Sequence, residues 1–369
     1  MTDVAPRLLA GRTVQGPISA RMQIDGRPYL NFFGAGYLAL AGLPEIRGAI
    51  RKALDEGVPI AQQLPAAHGA SDPIFEELES TAARACGSEA SVYFASGYLI
   101  GGVGLAALEG AFDRVFIDES AHYSLSDAAR ASSKPSVTFA HGNANALAEV
   151  LKACLKAHER PLVLTDGAFA TTGHIAPLAE YAEILAPYNG RLLVDESHSF
   201  GVVGGNGRGA AEYCGVEEVA TIGATFSKAY CAQGAVVSCT KSDALRMRTV
   251  APIGAACAGS PLTAAAALAS LNYVSASPSL RLSLQSLTGY LRNRLRHIGI
   301  DVVESPAPIV AFRAGQRADM LALQKRAFER EIYLHYSTYI GAGSEGVIRC
   351  AMFRDHTYQD IDQLIDVLA

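Results

Sequence analysis

The sequence has no excess of basic residues. It contains 31 Lys and Arg against 36 Asp and Glu, for a formal net charge of −5, and no basic cluster stands out. Proteins that bind nucleic acid usually carry a basic patch that neutralises phosphates. The composition therefore argues against nucleic acid as a partner and favours small-molecule substrates.

Motifs of disulfide frameworks and metal sites are also missing. The seven cysteines are irregularly spaced without a C-x-x-C, and none of the nine histidines falls in an H-E-x-x-H pattern. An odd cysteine count of this kind argues against a disulfide framework or a zinc ribbon.

The N-terminus has an early acid and no long apolar run, unlike a signal peptide. We therefore expect a cytoplasmic protein without a metal.

Charge is scarce, and two long stretches lack it entirely. Only 18% of the 369 residues are charged and 50% are hydrophobic, which excludes disorder and allows a large buried core. Residues 90–108 and 249–280 are uncharged and reach the length that spans a bilayer. Four glycines interrupt the first stretch and three prolines the second. We predict buried core or subunit interface for both, and no membrane span.

Short apolar runs alternate with helical patterns through the middle of the chain. Continuous apolar strands separated by helices indicate a mostly parallel sheet covered on both faces, an α/β fold. The runs are at residues 90–95, 114–118, 136–140, 161–166, 191–196, 219–226 and 235–240.

Composition divides the chain into three parts. Residues 1–42 are predicted to form an N-terminal arm, residues 43–280 a large domain, and the more charged residues 281–369 a smaller α+β domain. Asp25 and Gly26 in the arm predict a hairpin turn. Asp72 is a candidate N-cap of a helix in the large domain, and residues 301–305 are predicted to form a strand of the small domain.

Polar side chains follow one of the predicted buried strands. Asp195, Glu196 and His198 come after the apolar run RLLV, and ligands bind at the carboxyl ends of strands in open α/β sheets. An Asp and a His three residues apart can both address one planar ligand. The alternatives are a capping Asp with a surface His, or a metal site at Asp195 and His198, for which no third ligand shows suitable spacing.

A lysine follows the next apolar run. Burial at a strand end, without local acids, lowers the pKa of a lysine and lets it form a Schiff base, which makes Lys228 a candidate nucleophile. Thr225 and Ser227 can donate hydrogen bonds to a phosphate. The alternative for Lys228 is a solvated surface side chain.

Two further strand ends carry candidate ligand-binding residues. Ser96, Gly97 and Tyr98 precede a helix start, where backbone N–H groups can hold an anion. His122 follows another strand and can stack on a planar ring, or it can be a surface residue that caps a helix.

A dinucleotide-binding fingerprint competes with this interpretation. Gly102, Gly104 and Ala107 match the spacing G-x-G-x-x-A, and Asp118 lies beyond them. These glycines stand several residues past the strand, and no other feature of a nicotinamide site follows. This alternative predicts a nicotinamide-dependent oxidoreductase.

The combination of residues matches the needs of pyridoxal phosphate. A carboxylate must pair with the ring nitrogen, a donor must address the ring oxygen, a lysine must bind the aldehyde, and a turn must hold the phosphate. Asp195, His198 and Lys228, behind the turn at Ser96–Tyr98, can supply these groups.

Segments along nearly the whole chain resemble those of the α-oxoamine synthase family, which are fold-type I pyridoxal-phosphate enzymes. The resemblance implies a large, mostly parallel-sheet domain with a smaller α+β C-terminal domain, and a homodimer with a shared active site. The segments are NFFGAGYLALAGLPEI, FASGYLIG, DESAHYSL, LTDGAFATTGHIAPL, VDESHSFGVVGGNGRG, ATFSKAYCAQGAVV and VIRCAMFRDHTYQDID.

The resemblance also implies roles for individual residues. Lys228, His122 and Asp195 are expected to be catalytic, and Arg349 is expected to bind the substrate carboxylate. The expected cofactor-binding residues are Gly97, Tyr98, His122, Asp195, His198, Thr225 and Lys228.

The sequence departs from the family pattern at a few positions. Ala170 stands where the family commonly has Ser, and Cys257-Ala258 replaces a Ser-Thr pair that reaches the partner subunit's phosphate, with Ser260 as a possible substitute. These departures concern the phosphate site and the substrate, and leave the expected fold unchanged.

The implied activity is a decarboxylative condensation. An amino acid and an acyl thioester, on coenzyme A or a carrier protein, give an α-amino ketone and CO₂. An aminotransferase or an aldolase of the same fold is the alternative. A catalytically inactive partner subunit would lack the lysine, so Lys228 argues against that assignment.

Overall fold

The computed structural model describes residues 8–62, 71–254 and 259–369. Its strands are β1 (Val14–Gln15), β2 (Arg21–Ile24), β3 (Arg27–Asn31), β4 (Ala90–Phe94), β5 (Arg114–Asp118), β6 (Ser136–Phe139), β7 (Pro161–Asp166), β8 (Arg191–Asp195), β9 (Ala220–Thr225), β10 (Ala235–Cys239), β11 (Ile309–Phe312), β12 (Ile332–Tyr333), β13 (His335–Ser337) and β14 (Val347–Ala351). Its α-helices are α1 (Pro44–Asp55), α2 (Pro73–Cys86), α3 (Ile100–Ala107), α4 (Tyr123–Ala131), α5 (Ala144–Cys154), α6 (Leu178–Leu185), α7 (Ala210–Cys214), α8 (Lys241–Met247), α9 (Ala251–Gly254), α10 (Pro261–Ser275), α11 (Ser279–His297), α12 (Arg317–Glu329) and α13 (Tyr358–Leu368).

The central feature of the fold is a seven-stranded sheet in the order β4-β10-β9-β8-β7-β5-β6. Only β10 runs antiparallel to its neighbours β4 and β9, while the pairs from β9 to β6 are parallel. The predicted α/β fold with a mostly parallel sheet is confirmed. The antiparallel strand is short and mainly apolar like the others, so its direction has no signature in the sequence.

Helices cover both faces of this sheet. Leu193 of β8 packs on one face in a cluster with residues of α3 and α4. Leu192 and Val194 pack on the other face with residues of α5 and α6. Both faces of the central strands are therefore buried, which explains why their sequences are continuously apolar.

The predicted arm forms a small sheet of its own. Its hairpin of β2 and β3 turns at Asp25 and Gly26, both of which have positive φ, as a tight hairpin turn requires. The sheet order is β1-β2-β3-β12, so a strand from the C-terminal part completes it. Residue 332 pairs with residue 30 in a parallel ladder, which joins the two ends of the chain.

The C-terminal part contains the three-stranded antiparallel sheet β11-β14-β13 and the helices α11 to α13. The prediction of a strand at residues 301–305 is wrong, because this segment is irregular. Two short strands, β12 and β13, were not predicted, since runs of two and three residues are too short for an alternation pattern.

The two long uncharged stretches are divided between several elements. Residues 90–108 form β4, a short 3₁₀ helix and α3. The second stretch contributes α10, whose N-cap is Ser260 and whose alanines are buried against α2 and α1. None of the helices among the described residues is both long and apolar enough to cross a bilayer.

Predicted helix ends agree with the structure. The Asp72 side chain accepts a hydrogen bond from the Ile74 N–H at 3.0 Å, which caps α2. Gly87 ends that helix in the left-handed conformation, with φ of 71°. These local signals need no tertiary contact, which is why the sequence alone located them.

Candidate active site

Two buried carboxylates lie side by side at the carboxyl edge of the sheet. Asp166 ends β7 and Asp195 ends β8, and the two residues are paired in the parallel ladder. Asp195 accepts a hydrogen bond from the Ser197 N–H at 2.9 Å, and Asp166 accepts one from the His122 N–H at 2.8 Å. Burial raises the pKa of Asp195, and burial together with the neighbouring Asp195 charge raises the pKa of Asp166 well above its ordinary value.

Lys228 approaches the same edge from the next strand. It follows β9, which is the neighbour of β8 in the sheet, and its side chain is half-buried. Burial lowers the pKa of Lys228, and the Asp195 carboxylate opposes that shift. The parallel sheet thus brings together an amine and a carboxylate that are 33 residues apart in sequence.

His122 begins α4 next to these groups. Its Nδ1 lies 2.7 Å from the Ser124 hydroxyl and accepts a hydrogen bond from the Ser124 N–H. Burial lowers the pKa of His122. The rings of Tyr98, Tyr123 and Tyr339 each have their centroids 6.3 Å from its ring, so His122 lies within an aromatic cluster.

His198 is linked to the N-terminal part of the chain. Its Nδ1 is 2.6 Å from the hydroxyl of Tyr37, which lies in the connection between β3 and α1 and is fully buried. Burial lowers the pKa of His198 well below its ordinary value, helped by the nearby charges of Lys228 and Arg349. The imidazole is therefore neutral at pH 7.

Arg349 enters the site from β14 of the small domain. Only 6% of the residue is exposed. Its Nε donates to the carbonyl of Ala170 at 2.7 Å, Nη1 donates to the carbonyl of Gly34 at 3.2 Å, and Nη2 is 3.5 Å from the Tyr37 hydroxyl. Segments far apart in sequence, around residues 34–37 and 170, therefore contribute to its position.

A compact turn lies at the N-terminal side of α3. Ser96 caps the short 3₁₀ helix by accepting a hydrogen bond from the Tyr98 N–H. A Cβ at Gly97 would lie 2.9 Å from both Cβ and Oγ1 of Thr225. The Tyr98 hydroxyl donates to Asp127. Only glycine leaves room at position 97, and this brings the turn against the end of β9.

Two of the expected features have other roles. Glu196, next to Asp195, accepts hydrogen bonds from Ala210 and Ala211, both at 2.8 Å, at the N-terminus of α7, so it faces away from Lys228. Gly102 and Gly104 lie within α3 instead of in a turn before it. A Cβ at Gly104 would lie 2.6 Å from Leu193, which assigns this glycine to the packing of the helix on the sheet. The dinucleotide interpretation was therefore wrong.

Tyr37 and Asp166 are not among the candidate residues named from the sequence. Asp166 had a usable signal, because it ends an apolar strand in the same way as Asp195 does. Tyr37 had none, since its position depends on how the arm folds over the sheet. The replaced pair Cys257-Ala258 lies outside the described residues.

The donor set fits pyridoxal phosphate. An amine with lowered pKa lies near a buried carboxylate, as the aldehyde and the ring nitrogen of that cofactor require. The turn at Gly97 packs against Thr225 and leads into the N-terminus of α3, where backbone N–H groups can bind a phosphate.

Comparison with known proteins gives matches along nearly the whole chain. The aminotransferase class I and II family matches residues 33–368. The 8-amino-7-oxononanoate synthase of Methylococcus capsulatus is 33% identical over 97% of this chain and 93% of that protein. The enzyme of the same name from Coprothermobacter proteolyticus is 27% identical over 96% of this chain and 91% of its own.

A solved structure has the same fold. The serine palmitoyltransferase of Sphingomonas wittichii superposes with a TM-score of 0.90 at 23% identity, over 98% of this chain and 92% of that one. The family model and the relatives match this chain along nearly its whole length, and the solved structure shares its fold. The chain belongs to the aminotransferase class I and II family and, within it, to the α-oxoamine synthases, which are pyridoxal-phosphate-dependent acyltransferase-type enzymes.

Proposed function

We propose that this enzyme condenses an amino acid with an acyl thioester and releases CO₂. The Cα–carboxylate bond of the amino acid and the C–S bond of the thioester break, and a new bond joins Cα to the acyl carbon. The products are an α-amino ketone, CO₂ and a free thiol. The observation that carries the proposal is the half-buried Lys228 beside Asp195, with the Arg349 guanidinium reaching the same site.

In this proposal Lys228 holds the cofactor and moves the substrate proton. Bound pyridoxal phosphate supplies an aldehyde carbon and a ring that accepts electrons. A lysine must be neutral to take a proton from Cα, and burial of Lys228 favours its neutral form. Asp195, stabilised as an anion by the Ser197 N–H, would keep the ring nitrogen protonated.

The other side chains would orient the ring and the phosphate. His122 would cover one face of the planar ring, and His198 would donate a hydrogen bond to the ring oxygen. Gly97, Tyr98 and Thr225 would hold the phosphate, since the turn that begins at Gly97 packs against Thr225 at the end of β9. Their chemistry and placement support these roles.

Substitution of Gly97 by Ala tests the phosphate site. The added methyl would overlap Thr225, so we expect the variant to lose cofactor affinity by about 1–3 kcal/mol, the range for overpacking. Equilibrium dialysis of the cofactor measures this. Gly102→Ala is the matched control, because a Cβ there meets nothing within 4 Å. It should retain the cofactor and stabilise α3 by about 0.5–1 kcal/mol in urea unfolding. Equal cofactor affinity in both variants would contradict the assignment.

The contacts of Arg349 indicate how it would bind a carboxylate. Its Nε donates its hydrogen to the Ala170 carbonyl. Nη1 and Nη2 carry two hydrogens each, and each nitrogen uses one of them for the Gly34 carbonyl or the Tyr37 hydroxyl. A substrate carboxylate would therefore bind end-on to the two terminal nitrogens. This bidentate geometry suits a guanidinium and not an ammonium.

Loss of the guanidinium should weaken binding of the amino acid. We expect Arg349→Ala to raise its dissociation constant roughly 10- to 150-fold, the range for hydrogen bonds to charged groups, and Arg349→Lys to restore little of the loss. Titration calorimetry with the best amino acid measures it. Arg313→Ala, at an exposed position beside β11, should bind as the wild type does. Unchanged affinity in Arg349→Ala would refute the role.

We further propose a homodimer in which the partner covers this site. Tyr98, Tyr123 and Tyr339 are 51%, 49% and 40% exposed around His122, and exposed aromatic side chains are enriched at protein interfaces. Sedimentation measurements of the mass in solution test this.

We also propose the cytoplasm as its compartment, which is consistent with the free thiols of the described cysteines.

One assay separates the proposed reaction from its alternatives. The enzyme with bound cofactor is incubated with each amino acid and a set of acyl thioesters, on coenzyme A and on a carrier protein. Condensation releases a thiol and CO₂ together and needs both substrates. An aminotransferase would give a keto acid with no thiol, and an aldolase would give an aldehyde without a thioester. Either of those results would overturn the proposal.

A further inference from the structure

The hydroxyl of Tyr37 lies between two groups of the candidate site. It is 2.6 Å from Nδ1 of His198 and 3.5 Å from Nη2 of Arg349. The tyrosine is completely buried, and the carbonyls of Ala170 and Gly34 hold Arg349 in place. His198 and Arg349 lie 161 and 312 positions from Tyr37 in sequence, so only the folded chain brings the three side chains together.

The direction of the two hydrogen bonds follows from what each group can donate. A guanidinium has no acceptor, so Arg349 can only donate to the oxygen of Tyr37. The hydroxyl hydrogen then remains available, and the His198 Nδ1 is the acceptor within reach. Burial raises the pKa of Tyr37 to about 12, so the hydroxyl keeps its hydrogen. His198 is neutral for the reason given above, so Nδ1 can accept.

A neutral imidazole carries one N–H, and its other nitrogen accepts. We propose that Tyr37 is a positioning residue that holds His198 in the tautomer with its proton on Nε2, so that His198 presents a donor to the ring oxygen. The opposite tautomer would direct Nδ1–H at the tyrosine oxygen and leave the buried hydroxyl hydrogen without its acceptor, which is unfavourable. The assignment of the ring oxygen to His198 rests on the proposed function, whereas the tautomer does not.

The tautomer can be measured in the protein without cofactor. Long-range ¹H–¹⁵N NMR spectra of protein labelled at histidine distinguish a protonated ring nitrogen from an unprotonated one, and loss of signals in His198→Asn identifies the residue. We expect the wild type to show His198 protonated at Nε2. A proton on Nδ1 would overturn the proposal, and this measurement needs no folded Tyr37 variant.

Removal of the Tyr37 hydroxyl tests whether this group determines the tautomer of His198. Tyr37→Phe should convert His198 from one tautomer to a mixture, while Tyr336→Phe should leave it unchanged. The control is suitable because Tyr336 is also buried and its hydroxyl donates to a backbone carbonyl, that of Glu345, at 2.7 Å. An unaltered His198 tautomer in Tyr37→Phe would overturn the proposal.

Kinetics add a readout that depends on the proposed function. We expect Tyr37→Phe to lower kcat roughly 3- to 10-fold, as loss of one neutral hydrogen bond predicts. The KM for the amino acid should change less, because the contact with Arg349 is long. If the wild type releases no thiol but shows the Nε2 tautomer, the proposed function fails and the tautomer assignment stands. If thiol release is normal but the His198 tautomer does not depend on Tyr37, the proposed function stands and the positioning role of Tyr37 fails.

Discussion

Replacing Lys228 with alanine should lower the rate of product formation by about 10²- to 10⁴-fold, the range for loss of a general acid–base group. The physical reason is that no other described lysine approaches the Asp195 carboxylate so as to shift its pKa. Thiol release measured with saturating cofactor checks the expectation. Lys325→Ala, at an exposed position of α12 where the lysine pairs with Glu329, should match the wild type.

The same substitution should remove the covalent attachment of the cofactor. Borohydride reduction of the wild type followed by peptide mapping should place a pyridoxyl group on Lys228, and the Ala variant should carry none. A label on another lysine, or a wild-type protein that takes up no label, would contradict the assignment of Lys228 and the proposed reaction with it.

Asp195→Asn should separate cofactor binding from chemistry. Asparagine has nearly the same shape and can still accept the hydrogen bond from the Ser197 N–H, so the variant should keep its cofactor. It carries no charge to hold the proton on the ring nitrogen. Breaking a buried charge pair costs about 3–5 kcal/mol, which corresponds to a loss of about 10²- to 5 × 10³-fold in rate. Exchange of the Cα proton of the amino acid with D₂O, followed by NMR, measures this step.

Other acidic residues serve as the control and as the alternatives to Asp195 in this experiment. Asp301→Asn, at an exposed position, is the control and should exchange at the wild-type rate. Wild-type exchange in Asp195→Asn would move the assignment to Asp166, its partner in the ladder. Glu196 is not a substitute, because its carboxylate is bound to the N-terminus of α7.

Residues at the ends of strands could be predicted from the sequence. Asp195 and Lys228 each follow a continuous apolar run, and parallel strands have their carboxyl ends at one edge of the sheet. Proximity of the two side chains follows once the strands are adjacent, and β8 and β9 are adjacent. The glycine spacing at Gly102 and Gly104 was less informative, since it matches a phosphate turn and a helix packed on a sheet equally well.

Residues that reach the site from other parts of the chain could not be placed in this way. Tyr37 lies 161 positions from His198 in sequence, and Arg349 contacts carbonyls of the arm and of the large domain. The pairing of β12 with β3 is equally remote. No local pattern encodes such contacts, because each depends on how distant segments of the chain pack together.

The sequence by itself determined the α/β fold, the helix caps and the strand ends at Asp195 and Lys228, because apolar periodicity and capping act over a few residues. Tertiary structure alone decided that Glu196 faces away from Lys228, that Asp166 lies beside Asp195, and that Tyr37 joins His198 to Arg349. These outcomes depend on burial and on the direction of hydrogen bonds, which exist only once distant segments have packed together.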